Sequence, residues 1–248
     1  MTAHVAGAAG AHPAGAALGL DDAARRELAL RAGEELEGAD ALDVVRWSVE
    51  QFGTSIAVAG SMQDAVLLDL YAQVSPGVDV LFLETGYHFP ETLLMREQVR
   101  RSLPITVKDV LPRQSVAEQD AEFGARLFER DPALCCSMRK VFPLADALDG
   151  YAAWATGVRR DEAPTRAGTP VVTWDEKNFL VKVNPLVRWS AEDVEAHIVE
   201  RNLPRHELTL RGYPSIGCAP CTRAVKPGED PRAGRWAGSS KTECGLHV

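Results

Sequence analysis

A chain of 248 residues that is 46% apolar can bury one substantial core, and its length leaves room for one or two domains, of which a single domain is favoured. With 35 acidic against 27 basic residues the formal net charge is −8. That balance excludes a general binder of nucleic acid or of anionic membranes, since neither polyanion attracts such a chain at long range. No apolar run nears the roughly 18 residues that span a bilayer, and the first residues lack the basic and continuous apolar regions of a leader, so a cytoplasmic protein is expected.

In chain order, residues 1–19 are dominated by Ala and Gly and predict a mobile tail with no assigned function. Ser55 to Ala59 is a short apolar run ending at Gly60, followed by a helical pattern through Asp64, Val66, Leu67, Leu68, Leu70 and Tyr71. A second apolar run, Val78 to Leu83, stops at Glu84-Thr85-Gly86, and Pro90 opens a helix to about Arg101. Ile105 to Val110 is a third strand candidate. Asp131 to Leu148 reads as one helix, with Pro132 near its start and two adjacent cysteines in its first turns. Tyr151 to Val158 and Phe179 to Val183 are further strands, and Ser190-x-x-Asp193 is a capping box opening a helix to about Arg201. From Arg211 onward the chain is loop-like, and it carries no repeat or heptad pattern.

Buried strands separated by helices predict an α/β fold with a mostly parallel sheet covered on both faces. Ligands in such sheets sit beyond the strand C-termini. That rule selects Gly60 and Ser61 in one loop and Thr85 and Gly86 in another, each with backbone N–H groups for a phosphate or a purine edge.

Five cysteines is an odd number, and in a reducing compartment they read as metal ligands or reactive thiols rather than disulfides. Cys135, Cys136, Cys218 and Cys221 offer four thiolates, suited to a [4Fe–4S] cluster or to zinc. An adjacent pair aims poorly at one small ion, which favours a cluster with separate iron corners. Two blander readings stand beside it: inert core thiols, and a redox dithiol in the C-x-x-C pair. Cys244, four places before the end, is too terminal to be packed in a core and is free to react, with Lys241 and His247 as cations to favour its thiolate. An incidental surface cysteine is the alternative. Arg139 with Lys140, Arg159 with Arg160, Arg166, and Arg232 with Arg235 gather basic charge suited to phosphate or sulfate oxygens, although each alone reads equally well as a solvated surface residue.

Together these residues resemble the thioredoxin-dependent, iron–sulfur type of assimilatory adenylyl-sulfate (APS) reductase. The likeness runs from about Ser55 to His247 through Cys-Cys-Ser-Met-Arg-Lys140, Gly-Tyr-Pro-Ser-Ile-Gly-Cys-Ala-Pro-Cys221, Asp-Pro-Arg-Ala-Gly-Arg-Trp236 and Lys-Thr-Glu-Cys-Gly-Leu-His247. It implies an adenine-nucleotide α-hydrolase-like fold with a flexible C-terminal tail, Cys244 as nucleophile, and one [4Fe–4S] cluster on the two cysteine pairs. It implies that Lys140, Arg232, Arg235 and His247 address the phosphosulfate, that Arg159 and Arg166 belong to a basic segment, and that Gly60, Ser61, Asp64, Thr85 and Gly86 form nucleotide loops. The corresponding organisation is a tail over 1–19, an α/β nucleotide- and cluster-binding domain over 20–210, and a loop-rich segment over 211–248.

The first loop reads Ala-Gly-Ser-Met-Gln-Asp64 rather than the Ser-Gly-Gly of ATP pyrophosphatases, which argues against an ATP-dependent sulfurtransferase. On this resemblance Cys244 attacks the sulfur of adenosine 5'-phosphosulfate, AMP leaves, and thioredoxin releases sulfite from a Cys S-sulfonate, the cluster acting electrostatically and structurally. The runner-up is a reductase of the 3'-phosphorylated nucleotide, or one using both. From another class comes an iron–sulfur or zinc module that senses redox state. A homo-oligomer is compatible with the sequence.

Overall fold

The computed structural model describes residues 19–238 and 241–246, so the expectation for residues 1–19 falls almost wholly outside the described residues. Six strands form one sheet: β1 (Ile56–Ala59), β2 (Asp79–Leu83), β3 (Thr106–Val110), β4 (Ala153–Ala155), β5 (Val172–Asp175) and β6 (Leu180–Val183), in the order β3-β2-β1-β4-β6-β5. All pairings are parallel except β5 with β6, a hairpin edge. The helices are α1 (Asp22–Glu35), α2 (Ala41–Phe52), α3 (Val66–Val74), α4 (Pro90–Ser102), α5 (Val116–Phe123), α6 (Leu127–Arg130), α7 (Pro132–Cys136), α8 (Phe142–Leu148) and α9 (Ala191–Glu200). The expected mostly parallel sheet with helices on both faces is what the chain forms.

Alternation along each strand divides the core. Ile56, Val58, Val80, Phe82, Ala153, Ala155, Val181 and Val183 face a large cluster shared with α1, α2 and α3. Their neighbours Ala57, Leu81, Trp154 and Leu180 face the other way, under Leu144 and Leu148 of α8. The chain leaves β1 toward β2 and β3, then returns to place β4 on β1's other side. The strand order therefore reverses between β1 and β4, where a crevice opens at the strand C-termini.

Three differences from the sequence reading have physical causes. The helix expected over Asp131 to Leu148 is interrupted by a π turn, Ser137–Val141, closed by Phe142 N–H donating to the Ser137 carbonyl. Pro143 follows directly; it has no N–H to give and its ring crowds the carbonyl four residues back, so the chain widens by one residue there. The strand expected from Tyr151 to Val158 pairs only over Ala153–Ala155, because its continuation turns away to line the crevice. Helices α1, α2, α5 and α6 and strand β5 were not foreseen. In α1 the buried face is built on Ala29, Ala32 and Arg25, which carry almost no apolar signal.

Among the described residues no helix is long and apolar enough to cross a membrane.

Candidate active site

The crevice at the switch point is an open cleft. Its floor is apolar, from Leu67, Leu68, Leu81, Phe82 and Ile216, and one end is polar and basic. Gly60, Ser61 and Asp64 line it after β1, Arg159 and Arg166 after β4, and Lys140, Arg232, Arg235 and Cys244 at the basic end. Nine of the residues singled out from sequence thus meet around one cavity, although they come from five separate segments. His247 lies outside the described residues.

Thr85 and Gly86 do not line the cleft. Gly86 adopts φ +73°, and a Cβ there would meet Val116 and the Arg139 guanidinium, so the turn admits no side chain. The turn faces the cysteines instead: Thr85 is fully buried, its carbonyl accepts from Arg139 Nε, and its hydroxyl lies 3.4 Å from Cys218 Sγ. Arg139 is held there by the Gln114 carbonyl at 3.2 Å and Gln119 Oε1 at 3.1 Å, under the Tyr87 ring. Arg160 points away from the cleft to Glu37.

Cys135, Cys136, Cys218 and Cys221 line a second, smaller pocket. The first pair rides on α7, whose N-terminus is capped by Asp131. The second pair sits in a tight turn, docked by Ala219 N–H on the Tyr87 carbonyl at 2.7 Å and by Trp236 N–H on the Cys221 carbonyl at 2.9 Å. Burial, followed by the neighbouring thiols, pushes Cys135 up to about 12 and Cys221 up to about 11, and burial raises Cys136 as well. Among the described residues no three His, Cys, Asp or Glu side chains close on a point fit for a single metal ion. The four thiols frame a space.

Lys140 and Arg235 line both cavities and so form the wall between them. Burial opposes the Lys140 charge, but Cys218, Cys244 and Cys136 outweigh it and hold its pKa above the usual lysine value. Burial, aided by Arg232, lowers Arg235, whose guanidinium reaches Ser215 Oγ at 3.2 Å and the Ile216 carbonyl at 3.3 Å and stacks on Trp236. Among the described residues its Nε is buried without a partner.

Cys244 bears electrostatically on Lys140, Lys182 and Arg235. Lys241, one of the cations expected beside it, lies over the Trp236 ring. Lys182 was missed by the sequence reading. It is a buried lysine within β6, 5.0 Å from the Trp154 ring, and burial lowers its pKa; a charge inside the apolar run Phe179 to Val183 was the available signal. Glu243 was missed too. Its buried carboxylate takes Arg166 Nε at 2.9 Å and Nη2 at 2.8 Å, and Arg232 Nη2 at 3.2 Å.

The model of the phosphoadenosine phosphosulfate reductase domain matches residues 53–224. The chain belongs to that family. Among curated relatives it is 57% identical over 222 residues to an adenosine 5'-phosphosulfate reductase of Streptomyces coelicolor, a match covering 90% of this chain and 94% of the relative. It is 54% identical to the protein of that name in Mycolicibacterium smegmatis and 49% identical to the one in Mycobacterium tuberculosis, each again over 90% of this chain and 94% of the relative. Among solved structures, phosphoadenylyl-sulfate reductase from Candida auris, in a phosphate complex, superposes with a TM-score of 0.67 at 28% identity, covering 81% of this chain and 97% of that one. Yeast FAD synthetase, at 15% identity and a TM-score of 0.51 over 81% of this chain and 75% of that one, shares the fold.

Proposed function

We propose that this chain reduces adenosine 5'-phosphosulfate to sulfite and AMP in sulfate assimilation, with Cys244 as nucleophile. The observation that carries this reading is the position of Cys244 on the wall of the switch-point cleft, beside Lys140 and Arg235. The name shared by the curated relatives supports the choice of nucleotide.

The apolar floor suits an adenosine moiety; the Gly60 N–H is taken by the Leu81 carbonyl at 3.0 Å, so of that loop pair the Ser61 N–H is the donor offered to its phosphate. The Cys244 thiolate attacks the sulfur, the bond from sulfur to the bridging oxygen breaks, and AMP departs with its developing charge met by Lys140, Arg232 and Arg235. A Cys244 S-sulfonate remains. One thiolate of a dithiol such as thioredoxin then attacks the Cys244 sulfur and displaces sulfite, and its second thiol resolves the mixed disulfide. The dithiol thus supplies both electrons and Cys244 is regenerated. A cytoplasmic location suits that reductant.

Cys135, Cys136, Cys218 and Cys221 fit a [4Fe–4S] cluster: all four residues line one cavity, and burial, with repulsion from neighbouring thiols, keeps Cys135 and Cys221 protonated unless a cationic centre offsets their charge. When bound, such a cluster would supply charge beside Lys140 and a tie between two chain segments. Lys140 and Arg235, standing in the shared wall, would link that centre to the bound phosphosulfate.

The test is intact-mass analysis of the iron-loaded enzyme after exposure to adenosine 5'-phosphosulfate. The native protein should carry a sulfonate adduct that a dithiol removes, and Cys244→Ser should carry none while keeping its visible absorbance. An adduct that survives the substitution would remove Cys244 from the reaction. Kinetics with the 3'-phosphorylated nucleotide alongside test the substrate choice.

A further inference from the structure

We propose that Glu243 is the positioning residue that seats Cys244 in the cleft, with Arg166 acting through Glu243 as its partner rather than on the substrate. The inference rests on Cys244 being the nucleophile and adds the device that holds it in place.

The geometry is that of a clasp. Glu243 precedes the nucleophile by one residue, about 3.8 Å along the chain, so fixing its side chain fixes where the Cys244 backbone enters the cleft. Its carboxylate is held from two unrelated segments. From the turn Pro164–Arg166 come Arg166 Nε and Nη2, fork to fork at 2.9 and 2.8 Å, and the Thr165 hydroxyl at 3.2 Å. From the later loop comes Arg232 Nη2 at 3.2 Å, which also donates to the Thr242 carbonyl at 3.1 Å. Paired donors of this kind fix direction as well as distance.

The rest of the tail is held less firmly. Lys177 Nζ reaches the Gly245 carbonyl at 3.1 Å in an exposed position, and Leu246 packs on the apolar cluster under α8. Glu243 is the buried charged anchor of the segment, 9% exposed.

The same contacts reassign Arg166. Its Nε and Nη2 go to Glu243 and its Nη1 to Glu162, so carboxylates occupy all three guanidinium nitrogens. Arg166 faces the tail, whereas Lys140 and Arg235, in the wall shared with the cysteine cavity, face the anion.

The experiment uses full-length, iron-loaded protein. Glu243→Gln keeps the shape and removes the charge. Two rates are read: alkylation of Cys244 by iodoacetamide with AMP bound, and single-turnover formation of the S-sulfonate at saturating substrate. Losing one or two charge-assisted hydrogen bonds should raise the first and lower the second by roughly 10- to 100-fold, while the affinity for AMP does not fall. Arg166→Ala should do the same, and the double variant should be no worse than either single one, as for two halves of one interaction. Unchanged alkylation in Glu243→Gln, additive losses in the double variant, or a loss of AMP affinity with Arg166→Ala overturns the clasp. Should no S-sulfonate form even in the native enzyme, the proposed reaction fails instead, and the alkylation rates still decide the clasp.

Discussion

Gly234→Ala is the sharpest test of how the loop-rich segment is held together. Gly234 is buried, and an ideal Cβ there would stand 2.2 Å from the Arg223 carbonyl oxygen. Ordinary contact begins at 3.4 Å, so the two strands of the loop must part by 3.4 − 2.2 = 1.2 Å, and the obstacle is backbone rather than a side chain that can swing aside. The parting strains the Arg223 N–H to Gly234 carbonyl bond at 3.0 Å and the Trp236 N–H to Cys221 carbonyl bond at 2.9 Å, on either side of the Thr222–Arg235 bridge. At about 1 kcal/mol net each, with some overpacking strain, the cost is about 2–3 kcal/mol, which for a chain of this size lowers the melting temperature by about 4–12 °C. Arg235 moves with the loop, and a displacement near 1 Å in a positioning group costs roughly 10²-fold in kcat/KM. Thermal melts and steady-state kinetics read both effects. Gly38→Ala is the control: its Cβ meets nothing within 4 Å, and it shares the chain-entropy gain of any Gly-to-Ala change. If Gly234→Ala melts and turns over like Gly38→Ala, the loop does not carry Arg235 in the way described.

Three further outcomes follow from the same contacts. His206 is buried with Nε2 2.9 Å from Thr92 Oγ1 and Nδ1 accepting from Leu208 N–H, and burial lowers its pKa from 6.5; the unfolded chain therefore binds the extra proton first, so stability falls as pH drops below about 6.5, and His206→Gln should flatten that part of a melting-temperature profile. Lys182→Met removes a buried charge that bears on Cys244 at little change in volume, so alkylation of Cys244 at fixed pH should slow roughly three- to tenfold while the melting temperature holds or rises; an unchanged rate would dismiss Lys182 as an influence on the thiol. Anaerobic purification should yield roughly four irons and four sulfides per chain, Cys218→Ser should lose most of both while still binding AMP, and native protein without iron would end the cluster assignment.

Much of the fold was legible because its central strands are short apolar runs ended by Gly60 or Glu84, and because Pro90 and Ser190 mark their helices with strong start signals. What stayed hidden has a weak signature by nature. Helix α1 buries alanines and an arginine, and β5 pairs over four residues, so neither shows a period long enough to read. The cysteines of the site stood out by their paired spacing, and its arginines because that residue type is costly to bury unless paired. Glu243 carries no such signal, because its arginine partners stand 77 and 11 residues away in the chain. Thr85 and Gly86 show a second limit: a loop after a strand is expected to face ligand, whereas the Thr85 carbonyl and hydroxyl turn toward Arg139 and Cys218.

The residues after Arg211 carry three of the five cysteines and both Arg232 and Arg235, yet the described part forms no α-helix or strand. Ordering each such residue costs about 1–2 kcal/mol of backbone entropy, and buried apolar side chains there are few, chiefly Ile216 and Trp236. Side-chain burial at 1.5–3 kcal/mol apiece does not offset that cost. The segment must be fixed by specific ties instead: the Tyr87 and Cys221 backbone bonds at one end, Glu243 with its arginines at the other. A metal centre joining Cys218 and Cys221 to Cys135 and Cys136 would add the strongest tie, because ligand binding that is absent from the unfolded chain becomes folding free energy. On that reasoning such a centre on the two cysteine pairs would serve the proposed chemistry by holding Arg235 and Lys140 in register with the cleft, a role that would require no electron to leave it.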